Sequence, residues 1–393
     1  MFSGSAMWTF IVASLWLVLD RSDSSGWVGV ITFSSMLPFL LVSPIAGLMA
    51  DRFDRRNLAL ATFAAGAVNG SVLAVLALLD LVQLWHLAVL AFTGGVLRAA
   101  QEPVIQALIP NQVPREDLLN AITLNGATRH GSRFFGLLVA APLMAVDSIG
   151  VQGVFVLSAA FQGLGAIYIV KTRTVSRGES QPEHGVVRSM VDGLVYIYSH
   201  RAIALFVLLV LFHCALVMSF ESILPIFSRR ELGAVDGSIL GYLVMGFGVG
   251  SLAGVVLLAG VRGESRKGRL LLWTGIASGV SPVVLALTGS VPLAVVAAAG
   301  MGASMATFMA LTNTYVQTLA PDRLRGRIAS LYLLHTGGIM AFSNLGYGFM
   351  ADVFSAPPIL FTTGLLFIAV LLALSLGQEV LRRLYRTGQV ATA

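Results

Sequence analysis

Gly47-Leu48-Met49-Ala50-Asp51-Arg52-Phe53-Asp54-Arg55-Arg56 is the stretch on which the reading of this chain turns. It follows an apolar run from Trp27 to Ala50 and precedes another from Asn57 to Leu79. A tight basic turn between two membrane-length apolar runs is a helical hairpin in a bilayer. Lys and Arg are retained on the cytoplasmic side, so the turn orients its neighbours. Gly47 lets a second helix approach closely. Asp51 sits at the membrane edge, where an unpaired carboxylate is costly, so it needs a partner.

Composition carries the same reading to the whole chain. Of 393 residues, 56% are hydrophobic and 11% charged, against about 25% charged in a soluble domain. Twelve spans of about 20 residues would use about 240, which leaves short loops and no soluble domain. The net charge of +6 is explained by Arg in cytoplasmic loops and does not indicate a nucleic-acid partner. The single cysteine, Cys214, excludes an internal disulfide and lies in an apolar run, where a packed thiol is expected. The first apolar run begins almost at Met1, with no basic region before it. The chain has no Cys/His ligand set, no nucleophile elbow and no phosphate loop followed by Lys-Ser/Thr. It is therefore read as no enzyme, with no metal and no cofactor.

Twelve spans are read at 2–19, 27–50, 57–79, 84–103, 120–145, 150–170, 202–224, 238–260, 270–288, 292–318, 328–350 and 358–377. They divide into an N-terminal six-helix bundle (1–170), a polar cytoplasmic linker (171–201), a C-terminal six-helix bundle (202–377) and a cytoplasmic tail (378–393). A short amphipathic helix is expected near Val186–Tyr198. Nineteen of the 25 Lys and Arg residues fall in the loops on the Asp51 side, three (Arg21, Arg229, Arg230) in the opposite loops, and three (Arg98, Arg129, Arg133) inside spans. That bias puts both termini in the cytoplasm. The opposite loops instead carry Asp20, Asp23, Asp80, Asp147, Asp236 and Asp352.

The halves repeat. Pro110-Asn111-Gln112-Val113-Pro114-Arg115 follows the fourth span and Pro321-Asp322-Arg323-Leu324-Arg325 follows the tenth. The loop Arg262–Arg269 is a weak second copy of the Asp51 loop. The expected fold class is an all-α membrane protein with twelve transmembrane helices in two pseudo-symmetric six-helix bundles.

The pattern Gly-x-x-x-Asp-Arg-x-x-Arg-Arg from Gly47 to Arg56 resembles the signature loop of the major facilitator superfamily. Gln106–Ala121, Arg133-Phe134-Phe135-Gly136 and Arg325-Gly326-Arg327 together resemble the drug and siderophore exporters related to the enterobactin exporter and the macrolide efflux proteins. The resemblance covers nearly the whole chain. There are three departures. Span 1 reads Gly4-Ser5 where that branch usually holds Gly-Asp, and the chain starts later. The fifth span reads Gly136-Leu137-Leu138-Val139-Ala140-Ala141-Pro142 in place of Gly-Pro-x-x-Gly-Gly. Arg98 lies a few residues after the usual place of the span 4 arginine.

A charge inside a span costs about 2.5–3.5 kcal/mol on insertion scales, so each needs a reason. Arg98 and Glu102, four apart on one face, can form a gate-side salt bridge, or Glu102 can relay protons. Asn125, Arg129 and Arg133 form a stripe at i, i+4 and i+8. Arg133 suits helix-to-helix bonding, and Arg129 suits either a cavity-facing cation or structural pairing. Glu221, near the outer end of the seventh span, is either a proton carrier or a hydrogen-bonding element of an external gate. His213, two turns deeper on nearly the same face, can titrate near neutrality or sit satisfied in packing.

The expected function is a secondary active transporter in the cell inner (plasma) membrane. It would be a proton-driven exporter of a small molecule (a drug, siderophore or similar metabolite) working by alternating access as a monomer. Gly47, Asp51, Arg52, Arg55 and Arg56 would form a cytoplasmic latch with Arg325, Gly326 and Arg327, where Asp51 meets a positive helix end. Arg98, Glu102, Asn125, Arg129, Arg133, His213 and Glu221 would line the substrate or proton pathway. Two alternatives stay open: an importer or uniporter of a small anion, and a non-transporting membrane partner or sensor.

Overall fold

Inside a bilayer each backbone N–H and C=O must be satisfied within the protein, so apolar runs of this length become helices. The computed structural model describes residues 1–109, 112–114, 117–171, 186–321 and 324–388. Side chains are described at all of these but 41, 43–52, 107, 118–120, 122, 123, 127, 129, 130 and 186–189. The first half comprises α1 (Phe2–Ser22), α2 (Ser25–Arg52), α3 (Arg55–Leu78), α4 (Leu84–Leu108), α5 (Leu118–Met144) and α6 (Gly150–Lys171). The amphipathic α7 (Val186–Ser199) leads to α8 (Arg201–His213), a π turn (Cys214–Met218) and α9 (Leu224–Arg230). Then come α10 (Ser238–Ala259), α11 (Glu264–Ala286), α12 (Val291–Leu319), α13 (Arg325–Phe354), α14 (Ala356–Gly377) and the surface helix α15 (Glu379–Thr387). By length and hydropathy alone, eight described segments qualify as spans. The other four positions of the twelve are taken by α2, α4, α5 and α13.

Local chemistry sets the turns. Asp23, in the left-handed region at φ 49°, closes α1 by donating its N–H to Leu19 O, and α2 starts two residues later. The Asp54 carboxylate accepts from Asn57 N–H at 3.0 Å and caps α3. Gly388, at φ 77°, ends α15. Some helices outrun the expected spans. The α4 helix continues to Leu108 and α11 starts at Glu264.

The two halves use the same pairings: α2 on α4 and α10 on α12, α3 on α6 and α11 on α14. Across the halves, α2 lies on α13 and α5 on α10. The loops Arg52–Arg55 and Gly260–Gly263, the start of α1, the end of α12 and the start of α13 share one end of the bundle, called here the basic end. At the other, far end, the halves touch backbone to backbone. A Cβ added to Gly348 would lie 2.5 Å from Ser25 O, and one on Gly29 would lie 3.0 Å from Asn344 O. Further along, a Cβ on Gly338 of α13 would lie 3.0 Å from Leu40 Cδ2 of α2, and one on Gly131 of α5 would lie 3.9 Å from Leu252 Cδ2 of α10. Among the described residues the molecule is therefore closed between its halves at the far end.

The seventh span departs from expectation. The apolar run predicts one helix over 202–224, but the helix breaks after Met218 and resumes at Leu224. The exposed backbone groups are satisfied by α13. Asn344 Oδ1 accepts from Ser222 N–H at 3.0 Å, and Tyr347 donates its hydroxyl to Ala215 O at 2.7 Å. Irregular backbone at membrane depth survives only where it is buried in protein or lines a cavity.

Candidate functional site

Small and polar residues on α1, α2, α3, α4 and α6 leave an open cavity in the first half. Its polar lining includes Ser3, Ser14, Asn69, Gln101 and Gln162. Thr93 donates to Asn69 Oδ1 at 2.6 Å and Asn69 Nδ2 donates to Leu90 O at 3.2 Å, so α3 and α4 are held together beside it. Ser3 donates to Gln101 Oε1, joining the start of α1 to α4. Ser14 Oγ and Gln162 Oε1 are buried there without a hydrogen-bond partner. Such atoms have bonding capacity left for a guest.

One residue of the second half reaches this cavity, Glu221. It stands in the break of the seventh span, where no helix face constrains its direction. Its Oε1 accepts from Arg133 Nη2 of α5 at 2.9 Å, and both side chains are close to nine-tenths buried. The Arg133 guanidinium lies 3.3 Å above the Trp8 ring and 4.5 Å from the Phe247 ring. Trp8, Phe220, Glu221, Arg133 and Phe247 line a second, small apolar cavity that shares Glu221 with the first. The pair therefore joins the halves through a buried, charge-assisted bond beside the cavity.

The other candidates fall into three groups. Arg98 lines the cavity, donates to Ser35 O of α2 at 3.1 Å and lies 4.6 Å from the Phe39 ring. Glu102 is half-buried one turn on in α4, and Asn125 is half-buried in α5. His213 needs a correction, because it does not share the face of Glu221. The π turn that follows it rotates the chain, leaving His213 fully buried 4.6 Å from the Phe308 ring and 5.1 Å from Phe367, with neither ring nitrogen hydrogen-bonded. The side chains of Gly47, Asp51, Arg52 and Arg129 lie outside the described residues.

Of the remaining loop residues, Arg56 donates to Ile169 O and Val170 O and so caps α6 at 3.2 and 2.7 Å. Arg55 is half-buried at the start of α3. Arg325 Nε donates to Gln317 O at 3.3 Å, Gly326 is exposed, and Arg327 lies 3.7 Å from Asp192 of α7. Within the described side chains, α13 thus meets the linker helix at its basic end.

The sequence reading missed the far-end clamp. Asp352 of α13 accepts from Ser24 Oγ at 2.6 Å, Ser25 N–H at 2.5 Å and Gly26 N–H at 2.9 Å, capping α2 from the other half. Arg229 reaches back to Asp20 at 2.8 Å and Leu19 O at 3.3 Å and lies 5.0 Å from the Trp16 ring. The available signal was Arg229 itself, one of three cations opposite a majority of acids. Asp352→Ala is expected to loosen this contact by about 1–3 kcal/mol, since bonds to a charged group are worth about 1.5–3 kcal/mol and these are partly exposed. The check is Ser14→Cys labelled from the far side with an impermeant maleimide. Labelling should quicken several-fold, and an unchanged rate would deny Asp352 a clamping role.

Comparison with known proteins places this geometry in a family. Residues 1–382 match the model described as transmembrane secretion effector. The multidrug efflux pump Tap of Mycobacterium tuberculosis is 27% identical over 341 residues, covering 82% of this chain and 78% of that protein. Macrolide efflux protein A of Streptococcus pyogenes is 23% identical over 339 residues, covering 84% and 81%. Among solved structures, a D-xylose–proton symporter superposes with a TM-score of 0.74 at 12% identity over 100% of this chain and 98% of that one. The nucleoside transporter NupG gives 0.70 at 11% over 97% and 98%. The chain belongs to the transmembrane secretion effector family of the major facilitator superfamily and is a multi-pass membrane transporter of small molecules, not an enzyme.

Proposed function

We propose that the protein is a proton-driven drug exporter working by alternating access, with the basic end and both termini in the cytoplasm. Its rocking bodies are residues 1–170 and 202–377, joined by the 171–201 linker, and 378–393 form the tail. The carrying observation is the Arg133–Glu221 pair, a buried charged contact between the halves beside a cavity. With the far end clamped, the proposed loading side is the cytoplasm. Efflux relatives favour export over uptake. Anion uptake is disfavoured because Glu221 matches the Arg133 charge, leaving no net cation there.

Glu221 is the proposed proton carrier. Protonation from the far side would neutralise it and weaken its hold on Arg133, so proton entry and the parting of the halves share one bond. Glu102, at the basic end of α4, lacks that position between the halves. The Gly47–Arg56 loop keeps its proposed role as a latch that closes the basic end in the outward-open state.

The test is efflux of a dye and an antibiotic panel from cells expressing the chain, with and without a protonophore. Efflux should fall to background when the gradient collapses, and efflux that survives a collapsed gradient would exclude proton coupling. In the same cells Asp51→Asn should keep its expression level while efflux drops about tenfold, the loss of about 1.4 kcal/mol of bias. Full efflux from that variant would count against the latch.

A further inference from the structure

The Arg133 guanidinium is bound as a guest would be. One aromatic face lies 3.3 Å away (Trp8) and a second 4.5 Å away (Phe247), and a carboxylate oxygen is at 2.9 Å. Aromatic faces and a carboxylate in an apolar surrounding are the chemistry that recognises organic cations. Arg133 is nonetheless an imperfect occupant. It holds Glu221 through Nη2, and its buried Nε has no hydrogen-bond partner. The site also borders the cavity of the first half, since Glu221 lines both that cavity and the small one around the cage.

We propose that Arg133 is a tethered stand-in for the substrate. Glu221, Trp8 and Phe247 form a site for an organic cation (a substituted ammonium, guanidinium or phosphonium), which takes over the carboxylate and the aromatic faces as Arg133 leaves them. The inference rests on the transporter reading and names the substrate class for that site. Charge at the site is conserved through the exchange, since one cation replaces another. Glu221 is never left buried and bare, which is the costly state. A neutral molecule of the same shape gains nothing from the exchange and should be discriminated against. A proton and a substrate cation would also compete for the same carboxylate, which ties loading to deprotonation.

The experiment uses the full chain in lipid nanodiscs, with tetraphenylphosphonium as the cation and triphenylphosphine oxide as a neutral probe of similar shape. Arg133→Ala removes the competitor and should tighten tetraphenylphosphonium binding about tenfold or more, as expected when a desolvated carboxylate and aromatic cage are vacated. The phosphine oxide should bind that variant and the parent alike. Unchanged or weaker phosphonium binding by a variant that still binds the phosphine oxide would overturn the proposal. Phe247→Leu keeps the ion pair and covers the case in which Arg133→Ala does not fold. It should weaken the phosphonium about threefold and spare the neutral probe, and equal effects on both would also overturn it. Cation binding that survives while efflux fails would sink the exporter reading and leave this site standing. Intact efflux without cation binding would do the reverse.

Discussion

Glu221→Gln is expected to abolish transport and lower the unfolding temperature, while the paired variant Arg133→Met/Glu221→Met should recover the temperature and not the transport. The reasoning begins with burial. Arg133 is 9% exposed and its ion-pair partner among the described residues is Glu221. Removing one member of a buried pair leaves an uncompensated charge and costs about 3–5 kcal/mol, whereas replacing both with apolar groups of similar volume is often neutral. Gln keeps the volume of Glu but gives the guanidinium only a neutral acceptor. It also cannot gain or lose a proton, so the proposed coupling step disappears with the charge. Thermal unfolding of purified protein reads the first effect and gradient-driven efflux the second. Efflux at the parent rate from Glu221→Gln would remove Glu221 from the mechanism, whatever its effect on stability.

The second large effect concerns packing. Gly302→Val is expected to lose most of the folded protein from the membrane. A Cβ at Gly302 would stand 2.0 Å from Phe247 O and 2.9 Å from Ser251 N. Across the same seam a Cβ on Gly250 would stand 1.8 Å from Ala299 O, and one on Gly254 2.5 Å from Ala303 O. Here α10 and α12 touch main chain to main chain, as small residues allow in membranes. Overpacking against side chains costs about 1–3 kcal/mol. Backbone cannot rotate away, so the whole seam must open and the upper end of that range or beyond applies. Phe247 stands on this seam and faces Arg133 with its ring, so a partial opening would also disturb the ion pair. Gly300→Val is the control, because a Cβ there meets nothing within 4 Å. The monodisperse fraction in size-exclusion chromatography is the readout, and equal peaks for the two variants would refute the argument.

Much of this was legible because lipid leaves a chain few choices. Apolar runs located the spans, and the repeated Pro110 and Pro321 segments indicated two halves. Arg133 and Glu221 were each conspicuous as charges in apolar runs. Their union was not legible, because no local periodicity relates side chains on α5 and the seventh span. The expectation gave Arg133 a helix-to-helix bond and Glu221 a proton-carrying or gating role without joining them. The break at Ser219–Ile223 was hidden for a similar reason. No Gly or Pro precedes Pro225 there, and the groups that satisfy the freed backbone, Asn344 and Tyr347, come from α13. His213 was misplaced as a direct consequence, since the i−8 argument assumed a continuous helix.

The attachment of α7 has a mechanical consequence. Asp192 meets Arg327 at 3.7 Å, Tyr198 meets His335 Nε2 at 2.9 Å, and a Cβ on Gly193 would stand 2.6 Å from Leu331 Cδ1. The helix also packs on α8. It therefore moves with the second half as one piece. Any rearrangement between the halves must break and remake the bonds across their interface, and it leaves the bonds of α7 intact.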